Sequence, residues 1–380
     1  FFIGMGILTK GQVAYMIAAL TFFIYWIYQR FRFYVNVPEF LFFTIAATLV
    51  TLTWYGIETL KNGTWFIYEF NRYQYRLFST PDAGHRGFPG YHFVVLLVGC
   101  FPASIFAIRS FFSLPEDEHD YQKDFRRWMK YLFWVVLILF TIVKSKIVHY
   151  SSMCYFPLSF LASVVIYHLI ARKIVLNRWM KGGLIGIGGL FILATVALPF
   201  LAMNIELIEP LFSKDPFAKA NLEAAVNWNG TEIIPGLFLI LLLSLFLRWQ
   251  KQKSEQAYRV LFGGTALFVM LTLIFFIKRI EGYSQRAAVE FFEGLSGQPA
   301  YVMTHGYKSY VDLFYFKKSI DNDPVFETRV EKKEWFLTGP IDKDVFIVTK
   351  INKTKALEAL PDVEEIGRKN GFVFYKRAKK

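Results

Sequence analysis

Between two apolar stretches the chain carries Lys144-Ser145-Lys146-Ile147-Val148-His149-Tyr150, which crowds two ammonium groups, an imidazole and a phenol into one short turn. Ionisable groups at membrane depth need a partner. A lysine is a compact cation for a phosphate oxygen and a tyrosine adds a donor, so a lipid phosphate is the chemistry this set invites. Snorkelling of both lysine stems to the interface is the competing reading. A second set lies at 66–78, where aromatic and charged residues alternate at helical spacing, as in an interfacial helix. Arg72 and Arg76 stand one turn apart on one face with Glu69 a turn earlier. Two guanidinium groups there would present a fork to phosphate while the carboxylate orients one of them; a solvated face touching headgroups is the alternative.

Two smaller sets complete the inventory. The run Asp82-Ala83-Gly84-His85-Arg86-Gly87-Phe88-Pro89-Gly90-Tyr91-His92 places two imidazoles and a guanidinium just before an apolar block. His85 suits headgroup contact, proton transfer or metal ligation, and Glu69 with His85 is the pair to test for a divalent metal. No other cofactor is indicated. In Leu8-Thr9-Lys10-Gly11 a cation and a glycine break an apolar run, either as a turn with a snorkelling lysine or as a further phosphate contact.

The elements that must position these groups are membrane spans. Of 380 residues, 54% are hydrophobic, 42 are Phe and only 19% are charged, and the apolar residues fall in blocks near the ~20 residues that cross a bilayer. Eight spans are predicted, at 12–28, 39–57, 92–112, 131–143, 153–170, 183–203, 233–248 and 260–277. The loops 29–38, 109–130, 171–181 and 248–259 hold 15 Lys and Arg, against eight in 58–90, 144–150 and 204–232. The positive-inside rule therefore places the first group in the cytoplasm and every candidate group above on the outer face. The net charge of +13 is this topological bias and does not call for nucleic acid. Cys100 and Cys154 sit within apolar blocks without a CxxC partner and read as packing residues. Glycines 182, 183, 186, 188 and 189 in the sixth span permit close helix contact.

The opening Phe1-Phe2-Ile3-Gly4-Met5-Gly6-Ile7-Leu8 reads as the tail of an earlier span, so the chain is expected to be a C-terminal piece of a longer protein. After Arg279 the composition becomes mixed. Residues 1–279 are expected to form the membrane domain and 280–380 a small extracytoplasmic α/β domain. Helix is predicted near 284–296, 309–318 and 353–360, with strands at 300–304, 345–349 and 372–376. That domain has no phosphate loop or Rossmann turn, which leaves acceptor recognition or capping of the catalytic side as its role.

Taken in order, the motifs resemble those of the protein mannosyltransferases and lipid A aminoarabinose transferases, membrane glycosyltransferases of the type C fold. Leu8–Gly11 is similar to the family's leucine-threonine-lysine-glycine turn. His85, Pro89, Tyr91 and His92 are similar to its outer loop before a span, Gly99 and Pro102 to the Gly-x-x-Pro inside that span, and Ser145–Tyr150 with Pro157 to its Ser-Lys-Leu-Pro-His-Tyr turn. The departures are Val148 for the expected Pro, Ser151-Ser152 in a usually apolar stretch, and Gly90 for an aromatic. The likeness covers about residues 1–170 and thereafter holds only in pattern.

What the resemblance implies is a mainly α, polytopic transmembrane bundle with a small α/β domain, a sugar donor on undecaprenyl phosphate, and inverting transfer to lipid A, a protein or another envelope glycan in the inner membrane. It places the acidic catalytic residue upstream of residue 1. With the residue reading above, the expected donor phosphate-binding residues are Lys10, Arg72, Arg76, Lys144, Lys146, His149 and Tyr150, supported by Glu69, His85 and Arg86. The rival class is a flippase for a lipid-linked glycan, which needs the same cations.

Overall fold

The computed structural model describes residues 1–81, 87–115, 119–317, 324 and 329–379. The chain divides into two compact units, residues 1–190 with 242–263, and residues 191–241 with 264–380.

The first unit opens with α1 (Phe2–Lys10), α2 (Val13–Tyr28), α3 (Val37–Asn62) and α4 (Trp65–Ser79). Helix α3 starts where the sequence signals it, with Asn36 as N-cap, Pro38 in the first turn, and the Glu39 carboxylate accepting the Asn36 N–H at 3.0 Å. Next come α5 (Tyr91–Gly99), α6 (Ala103–Ser110), α7 (Asp120–Ile142), α8 (Tyr155–Ile170) and the first half of α9 (Arg178–Met203). The predicted continuous span 92–112 is instead the pair α5 and α6, bent by 116°. Pro102 lacks the N–H that would continue α5 and disfavours helical geometry in the residue before it.

Buried aromatics hold α2 to α7. Tyr25 stacks on Trp128 at 4.4 Å between centroids and donates to the Asp124 carboxylate at 2.9 Å, which also takes Arg127 at 2.8 Å. Helices α6 and α8 pack together, with Phe106, Leu161 and Val165 wholly buried. Two of the five glycines in α9 mark close contacts: a Cβ on Gly183 would lie 2.8 Å from Ile105 Cδ1, and one on Gly188 would strike Leu243. Gly182, Gly186 and Gly189 meet nothing within 4 Å.

In the second unit, α10 (Pro216–Leu222) begins on Asp215, whose side chain accepts from the Phe217 and Ala218 N–H groups. It is followed by α11 (Ile234–Trp249) and α12 (Ser254–Gly282), both of which extend across the unit boundary in sequence. The buried Glu232 carboxylate pairs with Arg279 at 2.5 Å, and Arg279 also donates to the Asn227 and Phe275 carbonyls. That arginine ties residues 227–232 to the end of α12.

The C-terminal segment adds α13 (Arg286–Gly294), β1 (Tyr301–His305), α14 (Val311–Phe314), α15 (Arg329–Thr338), β2 (Val345–Lys350), α16 (Lys355–Glu358), β3 (Val363–Lys369) and β4 (Phe372–Arg377). The sheet order is β1-β2-β4-β3, with β1 and β2 parallel and the rest antiparallel. One face packs Val302, Val348, Phe372 and Phe374 on Phe292; the other packs Met303, Ile347, Val373 and Tyr375 with Phe336. Burial on both faces explains why β1, β2 and β4 are continuous apolar runs. The sequence reading missed β3 and α15.

Among the described residues, five helices are long and apolar enough to cross a bilayer: 37–62, 148–170, 178–203, 231–249 and 254–282, or six if the α5 and α6 pair is one span. The segments read as spans at 12–28 and 131–143 are also helical, the first in the 16-residue α2 and the second in the apolar half of α7.

Candidate functional site

Helix α4 organises the site. Its residues at 66, 70, 74 and 77 form one stripe and those at 69, 72 and 76 another, as helical periodicity requires. On the first, Phe66 and Phe70 stack at 6.0 Å and both pack on Tyr55 of α3. On the second, Glu69 and Arg72 pair at 3.5 Å with side chains 55% and 70% exposed, and Arg76 lies 5.2 Å over the Tyr73 ring. An ion pair this exposed contributes little to stability, so the Arg72 guanidinium can exchange Glu69 for a stronger anion.

The elbow between α1 and α2 docks on the middle of α4. Gly11 has φ 75° and ψ −164°, a region essentially restricted to glycine, and a Cβ there would lie 2.9 Å from Phe70 Cζ. Gln12 Nε2 donates to Asn71 Oδ1 at 2.8 Å. Lys10, exposed in the last turn of α1, is thereby carried to α4.

The basic turn after α7 docks at the C-terminal end of the same helix. Lys144 N–H donates to Phe78 C=O at 3.1 Å, Ser145 N–H to Leu77 C=O at 3.4 Å, and the Ser145 hydroxyl to Thr80 C=O at 2.8 Å. These bonds satisfy carbonyls that a helix end leaves without partners. The two docking points are separated along α4 by about 10 Å of helix rise. Lys144 and His149 are exposed; Tyr150 is half-buried against Phe140 at 5.4 Å.

Lys146 sits differently from its neighbours. It is 7% exposed, and its ammonium donates to the carbonyls of Phe140, Thr141 and Val143 at 3.1, 2.6 and 2.6 Å. It thus caps α7, with its charge on the negative end of that helix dipole. Burial pushes its pKa below the ordinary lysine value. With three donors engaged, it offers an incoming phosphate charge and no hydrogen bond in this arrangement. Gly87 packs directly on it, since a Cβ there would lie 2.8 Å from Lys146 Cγ.

Behind the turn, buried His92 shares a 3.1 Å hydrogen bond through Nδ1 with the Ser151 hydroxyl. Sequence reasoning missed this pair and the Gln12–Asn71 clamp, because each joins residues 59 apart with no local pattern. His85 and Arg86 lie outside the described residues. Among the described residues no three His, Cys, Asp or Glu side chains converge as a metal site. Glu69, the other half of the metal pair, is engaged with Arg72.

Apolar spans, a broken helix and an amphipathic helix carrying exposed arginines define a polytopic membrane protein. The fold is shared with ArnT from Cupriavidus metallidurans bound to undecaprenyl phosphate, with a TM-score of 0.62 at 15% identity over 99% of this chain and 67% of that one. The apo state of the same protein matches with a TM-score of 0.61. In sequence, the chain is 28% identical over 205 residues to the undecaprenyl phosphate-alpha-4-amino-4-deoxy-L-arabinose arabinosyl transferase of Aeromonas salmonicida, covering 51% of this chain. It is 27% identical over 222 residues to the enzyme of that name from Pseudomonas aeruginosa. The matches span 36% and 37% of those relatives' lengths. No protein-family model matches the chain. The motifs resemble protein mannosyltransferases and lipid A aminoarabinose transferases, and both the sequence relatives and the matching fold are of the second kind.

Proposed function

We propose that the protein is a membrane glycosyltransferase that moves a sugar from a polyprenyl-phosphate donor to a glycolipid such as lipid A, or to a protein, at the outer face of the inner membrane. What supports this reading is that α4 carries Arg72 and Arg76 and that the two segments docked on it, the elbow and the basic turn, bring Lys10 and Lys144. Transfer from a lipid phosphate leaves negative charge on the departing oxygen. Fixed cations that meet that charge lower the barrier to transfer.

In this reading Arg72 and Arg76 grip the phosphate, Lys10 and Lys144 add charge at either side, and His149 and Tyr150 donate from the turn. Lys146 contributes from behind by holding the end of α7. The acceptor's proton passes to a carboxylate, which the family resemblance places ahead of residue 1. Residues 280–380 form the extracytoplasmic domain and bind or cover the acceptor, and His85, Arg86 and a divalent metal on Glu69 and His85 belong to the same proposal.

A flippase is the alternative, favoured by the break between α5 and α6, since transporters build their sites on discontinuous helices. The two are separated with the full-length gene product and a panel of undecaprenyl-phosphate sugars. Release of undecaprenyl phosphate in detergent is the expected result. Lipid translocation in liposomes with no release from any donor would sink the transferase reading.

A further inference from the structure

A groove lies toward the other end of α7. Gln122, Phe125 and Arg126 of α7, Phe160 and Val164 of α8, and Lys173 beyond α8 wall this groove of about 370 Å³. From Arg126 to the end of α7 the helix rises about 24 Å. The groove and the basic turn are thus separated by most of the ~30 Å thickness of a bilayer's hydrocarbon.

The lining is graded in chemistry. Phe125 and Phe160 meet edge to face at 4.9 Å and, with Val164, give an apolar wall. Arg126 and Lys173 supply the cations, and no Asp or Glu is among the described lining residues. Lys173 is held in place: its N–H donates to His168 C=O at 2.9 Å and its ammonium lies 5.8 Å from the Tyr167 ring centroid. Arg172, at φ 56°, makes the tight turn that returns Lys173 to the groove. The first turn of α9 adds Arg178 and Lys181, with no acidic residue between Lys173 and it. Such a surface belongs against the anionic cytoplasmic leaflet.

We infer that this groove binds an anionic phospholipid of the bilayer. Arg126 and Lys173 take the headgroup phosphate, and Phe125, Phe160 and Val164 take the first methylenes of the acyl chains. Nothing in the transfer reaction requires this site, so it stands or falls separately from the proposed function.

The test is native mass spectrometry of the delipidated full-length protein in detergent, titrated with phosphatidylglycerol or phosphatidylethanolamine. The expected result is preferential uptake of phosphatidylglycerol, weakened about 30-fold in the R126Q/K173Q double variant, at about a factor of five per basic side chain. The charge-retaining R126K/K173R variant should keep the preference and separates recognition from a folding defect. Equal binding of both lipids, an unchanged double variant, or loss of the preference in R126K/K173R would each overturn the inference. Displacement of the lipid by equimolar inorganic phosphate would make this a soluble-anion site and overturn it too. So would loss of undecaprenyl phosphate binding in the double variant, which would place the donor here.

Discussion

Replacing Gly11 by alanine should dislodge the elbow that carries Lys10 onto α4. The new Cβ would sit 2.9 and 3.0 Å from two atoms of the Phe70 ring, and the backbone is at φ 75° and ψ −164°. The backbone term costs about 1–3 kcal/mol and the overpacking about 1–3 kcal/mol more. Gly63 provides the control: φ 79° and ψ −173° put it in the same backbone region, yet a Cβ there meets nothing within 4 Å. Gly63→Ala should therefore show only the backbone part. Unfolding midpoints in detergent, read for both variants, should differ by the packing term, and shortening the ring in Gly11→Ala/Phe70→Leu should recover part of it. Donor turnover should fall in Gly11→Ala and stay near native in Gly63→Ala. Equal losses of stability and turnover in the two variants would refute the docking of the elbow on α4.

Three further outcomes are expected. Glu232→Ala leaves Arg279 without its buried partner and should cost about 3 kcal/mol, the low end for breaking such pairs because Arg279 keeps 21% exposure; denaturant titration of the full chain measures it. Lys146→Met should lower the unfolding midpoint by uncapping α7, whereas Lys144→Met, at an exposed site, should leave the midpoint near native and weaken donor binding; paired melting and binding measurements check both. His305 is held below its ordinary pKa of 6.5 by burial and by Lys333, so the folded state resists a proton that the unfolded state accepts. Its contribution is present above pH 6.5 and is lost as pH falls through the folded-state pKa, and His305→Gln should flatten that part of a melting-versus-pH profile.

Much of the fold follows from local pattern. Blocks of apolar residues at bilayer length became helices, the alternation at 66–78 became α4, and the double-faced apolar runs at 301, 345 and 372 became the strands of the sheet. The elements missed had no such pattern. Strand β3 is Val-Glu-Glu-Ile-Gly-Arg-Lys, mostly exposed at the sheet edge, and is a strand only because β4 pairs with it. The break at Cys100–Pro102 was visible only as a proline inside an apolar run, and proline inside α9, at Pro199, leaves that helix unbroken.

The site divides the same way. Residue types and their order pointed to a phosphate, and the fold docks the segments that carry Lys10 and Lys144 on α4. The placement of Lys146 was not legible: periodicity puts its charge near an interface but cannot say that three carbonyls of α7 will take all three of its donors. Nor can it reveal that Ser145 stitches the turn to Thr80, 65 residues earlier.

The most direct test of the account is equilibrium binding of undecaprenyl phosphate to the purified full-length protein and to its Arg72→Gln/Arg76→Gln variant. Both side chains are on the exposed stripe of α4, so the variant should fold normally. Loss of two charge-assisted contacts at about 1.5 kcal/mol each predicts binding weakened roughly 100-fold, with donor turnover falling in step. Native affinity in a folded variant would contradict the claim that α4 holds the donor phosphate.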